Sequence, residues 1–378
     1  MGFRAAFLAH LRALAASPRY RLMLAVFLGA SWLTIATYRQ GVMRELPIAV
    51  LDLDGTGPSR TVARYLDATP ELRVLTDPPP TLEAAQEALD RGALAGVVLV
   101  PDGFSADLKR GRRAEILAAV DMSNVLVGRT ASRTIAKVLA TVSAGVELGV
   151  LQKLGTAPSA ALAKAAPVVV TEAMSRNPGA SFAVYLAPAF ALFFVHLATL
   201  FLAWSVIWPA APGRRPAEAL GRWAAVLAVS LALALLSTYG LLRIDGIRPA
   251  SPFPVVACSL LALVGAELLF AAALAALLGG GPFAFQSTVL LGMLSLMFSG
   301  LTWPWDVIPG PIRAVASALP FTPFGRALRI FLHEPAALRD LAGPLGWLAA
   351  QAAGFAAVIA ASRAARALVA RARARRTA

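Results

Sequence analysis

The sequence has few of the residues from which metal sites and redox sites are usually built. It contains one cysteine, Cys258, and three histidines in 378 residues. A single cysteine excludes an intrachain disulfide and a cluster of thiolate metal ligands. No G-x-x-x-x-G-K-[ST] motif occurs, so the chain cannot bind ATP through a P-loop. Charged residues are also scarce, at 15% against about 25% in a typical soluble domain.

Long apolar stretches account for the low charge. One covers 22–38, and five more cover 185–207, 223–242, 255–279, 287–303 and 341–361. A helix needs about 20 apolar residues to cross the hydrocarbon core of a bilayer. The sequence therefore predicts an integral membrane α-helical bundle of six transmembrane helices, with helix 1 at 22–38 and helices 2–6 within 185–361. Because Arg39 follows the first stretch directly, 22–38 is interpreted as an uncleaved anchor.

The distribution of charge predicts which side of the membrane each segment occupies. Segment 39–184 holds 16 basic and 15 acidic residues, whereas the rest of the chain holds 19 basic and 6 acidic ones. The basic excess lies in the leader 1–21, the loop 208–222 and the tail 362–378. Under the positive-inside rule these three segments face the cytoplasm. We therefore expect both termini in the cytoplasm and 39–184 outside it, in a bacterial cytoplasmic membrane.

Some details depart from that simple distribution or refine it. Four arginines fall on the outer side against the rule, namely Arg39, Arg44, Arg243 and Arg248. The leader has apolar residues at near-helical intervals, namely Phe3, Phe7, Leu11 and Leu14. That spacing predicts an amphipathic helix in the membrane interface. The basic tail is predicted to be a cytoplasmic segment that binds lipid headgroups and not nucleic acid.

Segment 39–184 has the alternating pattern of a small α/β domain. Apolar runs predict strands at 46–54, 71–75, 94–101 and 114–122, with 166–173 as a candidate fifth strand. Thr81 is a candidate N-cap for a helix over 81–92, and a helical tract extends over 124–154. We therefore expect an extracytoplasmic α/β domain between helices 1 and 2.

One motif in this segment leaves an enzymatic alternative open. Asp52 and Asp54, within 51–56, resemble the nucleophile and general acid of haloacid-dehalogenase-type phosphatases, which hold Mg²⁺ between them. That chemistry also needs a lysine, for which Lys109 is a candidate, and a later acidic pair that the segment lacks. The other interpretation is a turn that ends a strand and begins a helix, and the sequence favours it.

The same region resembles a family of transporters. The runs 50–60 and 87–124 are similar to the outer domain of type-2 ABC exporter permeases with one helix before that domain and five after it. Further features of that family are, in chain order, Ser59-Arg60, Gly92, Pro101-Asp102-Gly103-Phe104, Gly111, Asp121, Asn177-Pro178, Tyr185, Pro188, Ser299-Gly300, Trp303-Pro304, Pro309 and Leu319-Pro320-Phe321-Thr322. The resemblance extends over nearly the whole chain.

The resemblance implies a permease that works with other proteins. It implies a homodimer or heterodimer of permeases on separate ABC ATPase subunits, which bind the ATP and Mg²⁺, and a periplasmic adaptor as a further partner. The chain itself is expected to bind no cofactor and to catalyse no reaction. Its substrate is expected to be hydrophobic or amphipathic and to leave the cytoplasm or the inner leaflet. The loop 208–222 departs from the family pattern, with Glu218 alone and no Gly-Thr, so a non-transporting membrane scaffold or receptor is kept as an alternative.

Glu267 is the strongest candidate for a functional residue. It is the one acidic residue between 247 and 305 and lies near the centre of an apolar stretch. An ionisable group is costly there and usually faces a bundle interior or a cavity. Glu267 therefore contacts a cationic or polar substrate, moves with a gate, or is a structural partner of another helix through His196. The predicted substrate pathway comprises Glu267, His196, Tyr185 and Phe193.

Two further groups of residues are predicted at the two ends of the bundle. Contacts with the ATPase are assigned to Arg12, Arg19, Arg214, Arg215 and Glu218. An outer gate is assigned to Trp303, Pro304 and Trp305, at the start of a re-entrant outer segment over 303–340. Simple anchoring of the indoles at the interface is the alternative for this segment.

Overall fold

The computed structural model describes residues 1–39, 41–165, 181–208 and 215–377. The chain divides into two compact units. Met1–Gly41 and Met174–Ala378 form the first, here called the membrane unit, and Val42–Ala173 form the second, here called the α/β unit. The candidate strand at 166–173, Asn177-Pro178 and Arg214 lie outside the described residues.

The described part of the α/β unit contains one four-stranded sheet. Its strands are β1 (Leu46–Asp52), β2 (Leu72–Val74), β3 (Gly96–Val100) and β4 (Leu117–Val120), in the order β2-β1-β3-β4. β1 is parallel to β2 and β3, with Val50 opposite Val98, and β4 is antiparallel to β3. The four strands expected from apolar runs are present, and each is shorter than predicted.

Helices pack on both faces of this sheet. The described helices of this unit are α3 (Gly57–Asp67), α4 (Leu82–Asp90), α5 (Phe104–Lys109), α6 (Val125–Lys153) and α7 (Pro158–Ala165), of which α7 packs on α6. α3 and α6 bury one face, through residues such as Leu66 and Ile135. α4 packs on the opposite face, through Ala85 and Leu89. β1, as far as Leu51, and β3 are apolar because helices pack on both faces of the sheet.

α6 has the length and composition of a membrane span, but it belongs to the α/β unit. Its residues Ala131, Ile135 and Val138 are buried against the sheet. The Asn124 side chain caps its N-terminus and accepts hydrogen bonds from the N–H groups of the next turn at 3.1 and 3.3 Å. The observed helix agrees with the helical tract predicted over 124–154.

All regular secondary structure in the described part of the membrane unit is helical. Its helices are α1 (Phe3–Ala16), α2 (Pro18–Tyr38), α8 (Phe182–Ile207), α9 (Pro216–Leu236), α10 (Leu242–Ile244), α11 (Phe253–Leu278), α12 (Pro282–Phe298), α13 (Gly310–Ser317), α14 (Phe321–His333) and α15 (Ala342–Thr377). A π-helical turn, Ser237–Leu241, joins α9 to α10. α8 is apolar on all sides and lies among α2, α9, α11 and α12, as expected for a helix buried on every face.

Six helices among the described residues are long and apolar enough to cross a membrane, and five of them coincide with predicted spans. The sixth is α6. The remaining predicted span, 287–303, corresponds to α12, which has 17 residues and both begins and ends earlier than predicted. α12 ends before Gly300, whose φ of +81° is left-handed and cannot continue a helix.

The last helix is longer than the sequence analysis predicted. α15 continues through 362–377, which was expected to be a separate basic tail. Alanine and arginine, which are strong helix formers, dominate this stretch, and it contains neither glycine nor proline. The basic residues therefore lie on a helical extension of the final span.

Candidate functional site

Three polar side chains meet in the apolar interior of the membrane unit, and they form the polar cluster. They are His196 from α8, Glu267 from α11 and Ser295 from α12, with exposed fractions of 1%, 0% and 1%. In an apolar interior such groups must find hydrogen-bond partners among themselves or on the backbone. The cluster therefore connects three helices.

The hydrogen bonds define the orientation of the imidazole. Nδ1 of His196 lies 2.6 Å from Oε1 of Glu267, and Nε2 lies 3.1 Å from Oγ of Ser295. The Ser295 hydroxyl donates to the Gly292 carbonyl at 2.5 Å, so we infer that Nε2–H of His196 donates to Ser295. The pair is then either imidazolium with carboxylate or imidazole with carboxylic acid. Both forms carry no net charge, which suits a low-dielectric interior.

One oxygen of the cluster keeps unused acceptor capacity. Oε2 of Glu267 is buried and has no hydrogen-bond partner among the described residues. A buried, unsatisfied carboxyl oxygen is costly, and each one in a native structure calls for an explanation. Here it marks Glu267 as the side chain of the cluster that is least satisfied in this conformation.

Aromatic rings enclose the imidazole on one side. The ring centroid of His196 lies 5.9 Å from that of Phe193 and 5.1 Å from that of Phe321. The two phenyl rings themselves meet edge to face at 6.0 Å. Three of the four residues predicted for the substrate pathway, Glu267, His196 and Phe193, thus lie together.

The fourth predicted pathway residue lies elsewhere. Tyr185 precedes His196 by 11 positions on α8, which corresponds to about 16 Å along the helix axis. Its hydroxyl donates to the Leu301 carbonyl at 2.6 Å. Tyr185 also lines a cavity of about 150 Å³ together with Leu328 and Arg329. It is therefore placed at the turn that follows α12, and the structure does not bring it to the cluster.

Of the three residues predicted for the outer gate, Trp305 packs on other helices, whereas Trp303 and Pro304 are exposed. The Trp305 ring lies 6.0 Å from that of Trp347 on α15, and the guanidinium of Arg326 lies 5.3 Å from each ring centroid. The Trp303 side chain is 59% exposed and Pro304 is exposed. A cation–π contact with Arg326 thus attaches Trp305 to α14, and an edge-to-face contact with Trp347 attaches it to α15. The segment 303–340 consists of α13, α14 and short 3-10 turns, and its re-entry into a membrane stays a prediction.

The leader is packed against two other helices of the membrane unit. Gly221 of α9 approaches α1 so closely that a Cβ there would lie 2.4 Å from the Phe3 carbonyl oxygen. Nε2 of His10 lies 3.0 Å from Oγ of Ser205 near the end of α8. The buried face of α1 is formed by Ala6, His10 and Leu14. Phe3, one of the apolar residues from which the amphipathic helix was predicted, is 50% exposed and lies outside this buried face, and the location of α1 in the membrane interface stays a prediction.

The residues predicted to contact an ATPase are largely on the surface. Arg12, Arg19 and Arg215 are exposed. Glu218 forms an ion pair with Arg222 at 3.2 Å, one turn later on α9. Arg214 lies outside the described residues, and the structure leaves the role of this group a prediction.

The aspartates of the phosphatase-like motif build a turn. Asp52 accepts a hydrogen bond from the Gly55 N–H at 2.9 Å and another from the Ser59 hydroxyl at 2.8 Å. Asp54 accepts hydrogen bonds from the Thr56 hydroxyl at 2.5 Å and from the Ser105 N–H. The Thr56 hydroxyl is the main reason that the pKa of Asp54 lies below its usual range. These bonds join β1 to α3 as the turn interpretation predicts, and the phosphatase alternative stays without support from the geometry.

Several residues of these sites were not predicted from the sequence. Ser295 completes the polar cluster, and Gly292 makes room for it, since a Cβ at Gly292 would lie 2.5 Å from Leu200 and 3.3 Å from Nε2 of His196. A serine and a glycine three positions apart in a long apolar helix were a usable signal, because small and polar residues mark helix contacts in membranes. Arg326 and Trp347 had no comparable local signal.

Comparison with known proteins identifies the family of this chain. Residues 22–209, about half of the chain, match the family model described as ABC-2 family transporter protein. No curated protein matches the chain, and no solved structure does either. The match covers most of α2, the whole α/β unit and α8. Proteins of this family are permease components of ABC transporters, and membership therefore implies an ABC ATPase partner. This multi-pass membrane chain therefore belongs to the ABC-2 transporter family.

Proposed function

We propose that this permease is the membrane subunit of an ABC exporter for a hydrophobic or amphipathic substrate. The observation that carries the proposal is the family match over α2, the α/β unit and α8. Two permeases, either identical or related, assemble on a pair of ATPase subunits that bind the ATP and Mg²⁺. The permease itself binds no cofactor and catalyses no reaction in this scheme.

The orientation follows from the basic residues. We place the chain in a bacterial inner membrane with both termini in the cytoplasm, because the leader, the loop 208–222 and the end of α15 carry the basic excess. The α/β unit is then extracytoplasmic, where an adaptor protein can reach it. Arg39, an exception to the charge rule, has an acidic partner, since its Nε lies 3.1 Å from Oδ1 of Asp245.

The leader offers a route by which an ATPase acts on the bundle. α1 packs on α9 at Gly221 and is hydrogen-bonded to α8 through His10 and Ser205. The predicted coupling residues Arg12, Arg19, Arg214, Arg215 and Glu218 lie on this leader or flank the start of α9. A push on the leader is transmitted to two helices at once, which compensates for the missing motif in the loop 208–222.

The polar cluster suits a gate better than a binding pocket that is already open. Glu267 and His196 are fully enclosed, so a substrate reaches them only if α8, α11 or α12 moves. Separation of these helices exposes a carboxyl group and an imidazole together. Glu267 is then a structural partner of His196 while the gate is closed, and it moves with the gate when the gate opens.

Co-purification tests this function directly. The tagged chain is extracted gently from its native membranes, and the co-purified proteins are identified by mass spectrometry. We expect a stoichiometric ATPase with a P-loop, whose ATP hydrolysis is stimulated by the permease in lipid nanodiscs. If the chain purifies alone or only with itself, the scaffold alternative is favoured. Asp52→Asn should leave the stimulated hydrolysis intact, whereas it would abolish a phosphatase activity.

Labelling of single cysteines tests the orientation. The only native cysteine, Cys258, is replaced by alanine, and one cysteine is introduced at Asp102 in the α/β unit or at Arg366 on α15. A membrane-impermeant maleimide added to intact spheroplasts should label the first variant and not the second. The opposite pattern would reverse the proposed topology.

A further inference from the structure

One face of the sheet in the α/β unit is only half covered among the described residues. α4 packs there on Ala49 and Leu51 of β1 and on Val97 of β3. A helix about 10 Å wide covers roughly two strands, since neighbouring strands lie about 4.8 Å apart. α4 therefore leaves β4 and the adjoining side of β3 without a helix, whereas α3 and α6 together pack on the opposite face.

The uncovered area forms a groove of about 410 Å³ between α4 and β4. Its floor is apolar and consists of Val97, Leu99, Leu117 and Ala119. Leu117 and Ala119 share a face because side chains two positions apart in a strand point the same way. Leu117 is 54% exposed, although a leucine on an inner sheet face is normally buried.

The wall of the groove is acidic. Glu83, Glu87 and Asp90 lie at helical spacing along α4 and line the groove beside Gln86. All three carboxylates are exposed. Glu87 pairs with Arg91 at 3.3 Å and Asp90 accepts a hydrogen bond from Gln86 at 3.0 Å, which are solvent-exposed contacts of low strength. The wall thus keeps a negative potential next to an apolar floor.

We propose that this groove binds a basic amphipathic α-helix of a partner protein. The apolar stripe of that helix packs on Leu99, Leu117 and Ala119, and lysines or arginines beside the stripe face Glu83 and Glu87. A helix fits better than an added strand because the groove lies above the sheet, next to α4, and not beside the edge of β4. The inference concerns the α/β unit alone and holds whatever substrate the permease carries.

Binding of designed peptides to the full chain in lipid nanodiscs tests the proposal. The probe is a fluorescent 18-residue helix with leucines at i, i+3, i+4 and i+7 and lysines on both sides of that stripe. Its counterpart carries glutamates in place of the lysines. The groove variant combines Glu83→Lys, Glu87→Lys and Asp90→Lys, and the matched control combines Asp77→Lys, Asp102→Lys and Glu147→Lys, which do not line the groove.

The lysine peptide should bind the native chain and the control variant at least about ten-fold more tightly than the groove variant. The glutamate peptide should prefer the groove variant. Adsorption to lipid is the same for all three proteins and cancels in the comparison. Equal losses in both variants, or no loss in either, would overturn the proposal.

A second variant tests the apolar floor of the groove, and a cross-link tests which protein occupies it. Leu117→Glu should also weaken the lysine peptide about ten-fold while leaving the melting temperature unchanged, because Leu117 is already half exposed. A photo-reactive side chain at Leu117, used in native membranes, should cross-link to a helical segment with flanking basic residues in another protein. A cross-link to a second copy of the permease would refute the partner that we propose.

Discussion

Replacing Gly221 by alanine tests how closely the leader packs on α9. A Cβ at this position would lie 2.4 Å from the Phe3 carbonyl oxygen and 3.0 Å from both the Phe7 nitrogen and the Ala6 Cβ. Optimal packing of non-bonded atoms needs about 3.5 Å. Two of the three obstructing atoms belong to the backbone, so no side-chain rotation relieves the clash. α1 must therefore move away from α9 by about 1 Å.

Two effects of opposite sign decide the stability of this variant. Alanine is favoured over glycine within a helix by about 1 kcal/mol. Overpacking of a closely packed site costs about 1–3 kcal/mol. Gly29 in α2 supplies the matched control, because a Cβ there meets nothing within 4 Å and only the helix propensity changes. The difference between Gly221→Ala and Gly29→Ala therefore isolates the steric cost, which we expect to be about 1–3 kcal/mol.

Thermal unfolding and a distance measurement read out this difference. We expect Gly221→Ala to melt at a lower temperature than Gly29→Ala in the same detergent. Spin labels at Leu8 and Leu220, both exposed, report the spacing of α1 and α9 in a Cys258→Ala background. Gly221→Ala should lengthen or broaden that distance, and Gly29→Ala should leave it unchanged. Identical melting and an unchanged distance in both variants would refute the close packing of the leader.

Three further predictions concern other contacts. Ser295→Ala removes a hydrogen bond to the buried imidazole and should destabilise the membrane unit by about 0.6–1.7 kcal/mol in thermal unfolding. Ser287→Ala, at a half-buried position on the same helix whose hydroxyl donates to the Phe283 carbonyl within that helix, should have little effect. Arg326→Lys keeps the charge but loses the planar contact with two indoles, so tryptophan fluorescence should change and the melting temperature should fall. The pKa of Asp54 is lowered in the folded chain, so its contribution to stability is complete above its unfolded pKa of about 3.9 and is lost as pH falls through the lower folded value. Asp54→Asn should remove that part of the acid-induced loss, measured as protection of the Ser105 amide from hydrogen exchange between pH 6 and pH 3.

Local patterns in the sequence predicted the elements of both units well. Strands β1 and β3 follow from unbroken apolar runs, and α4 follows from the N-cap Thr81, whose side chain accepts from the Ala84 N–H at 3.2 Å. Long apolar stretches predicted the main membrane helices because a span is a local property of about 20 residues. The predicted ends of helices were less accurate, as for α12. The end of a helix depends on the backbone conformation of single residues such as Gly300.

Contacts between helices were predictable only where polar residues are rare. The pairing of Glu267 with His196 was a sequence-based alternative, because few other ionisable groups lie in the apolar stretches. The structure contains that hydrogen bond. Ser295 had a weaker signal, because its spacing from Gly292 marks a helix contact but does not identify the side chain that it meets. The sequence also did not predict which face of α1 packs on α9, because alanine at Ala6 gives no hydrophobic signal above that of its neighbours.

α8 connects the candidate sites of the membrane unit. Tyr185 bonds to the turn after α12, His196 belongs to the polar cluster, and Ser205 bonds to His10 of the leader. From Tyr185 to Ser205 the helix rises about 30 Å, which equals the thickness of a hydrocarbon core. A displacement of the leader therefore has one continuous element along which it can act.

Pro188 limits how far that displacement is passed on. Its ring lies inside α8, between Tyr185 and His196, and removes one helical hydrogen bond, so the helix bends most easily there. The stretch from His196 to Ser205 contains neither proline nor glycine and is fully helical. In the proposed exporter, movement of the leader consequently reaches His196 along an unbroken helix and is partly absorbed before Tyr185. A gate driven from the ATPase side is therefore better placed at the polar cluster than at the outer turn, and opening that gate requires the hydrogen bond between His196 and its carboxyl partner to break or to move as a unit.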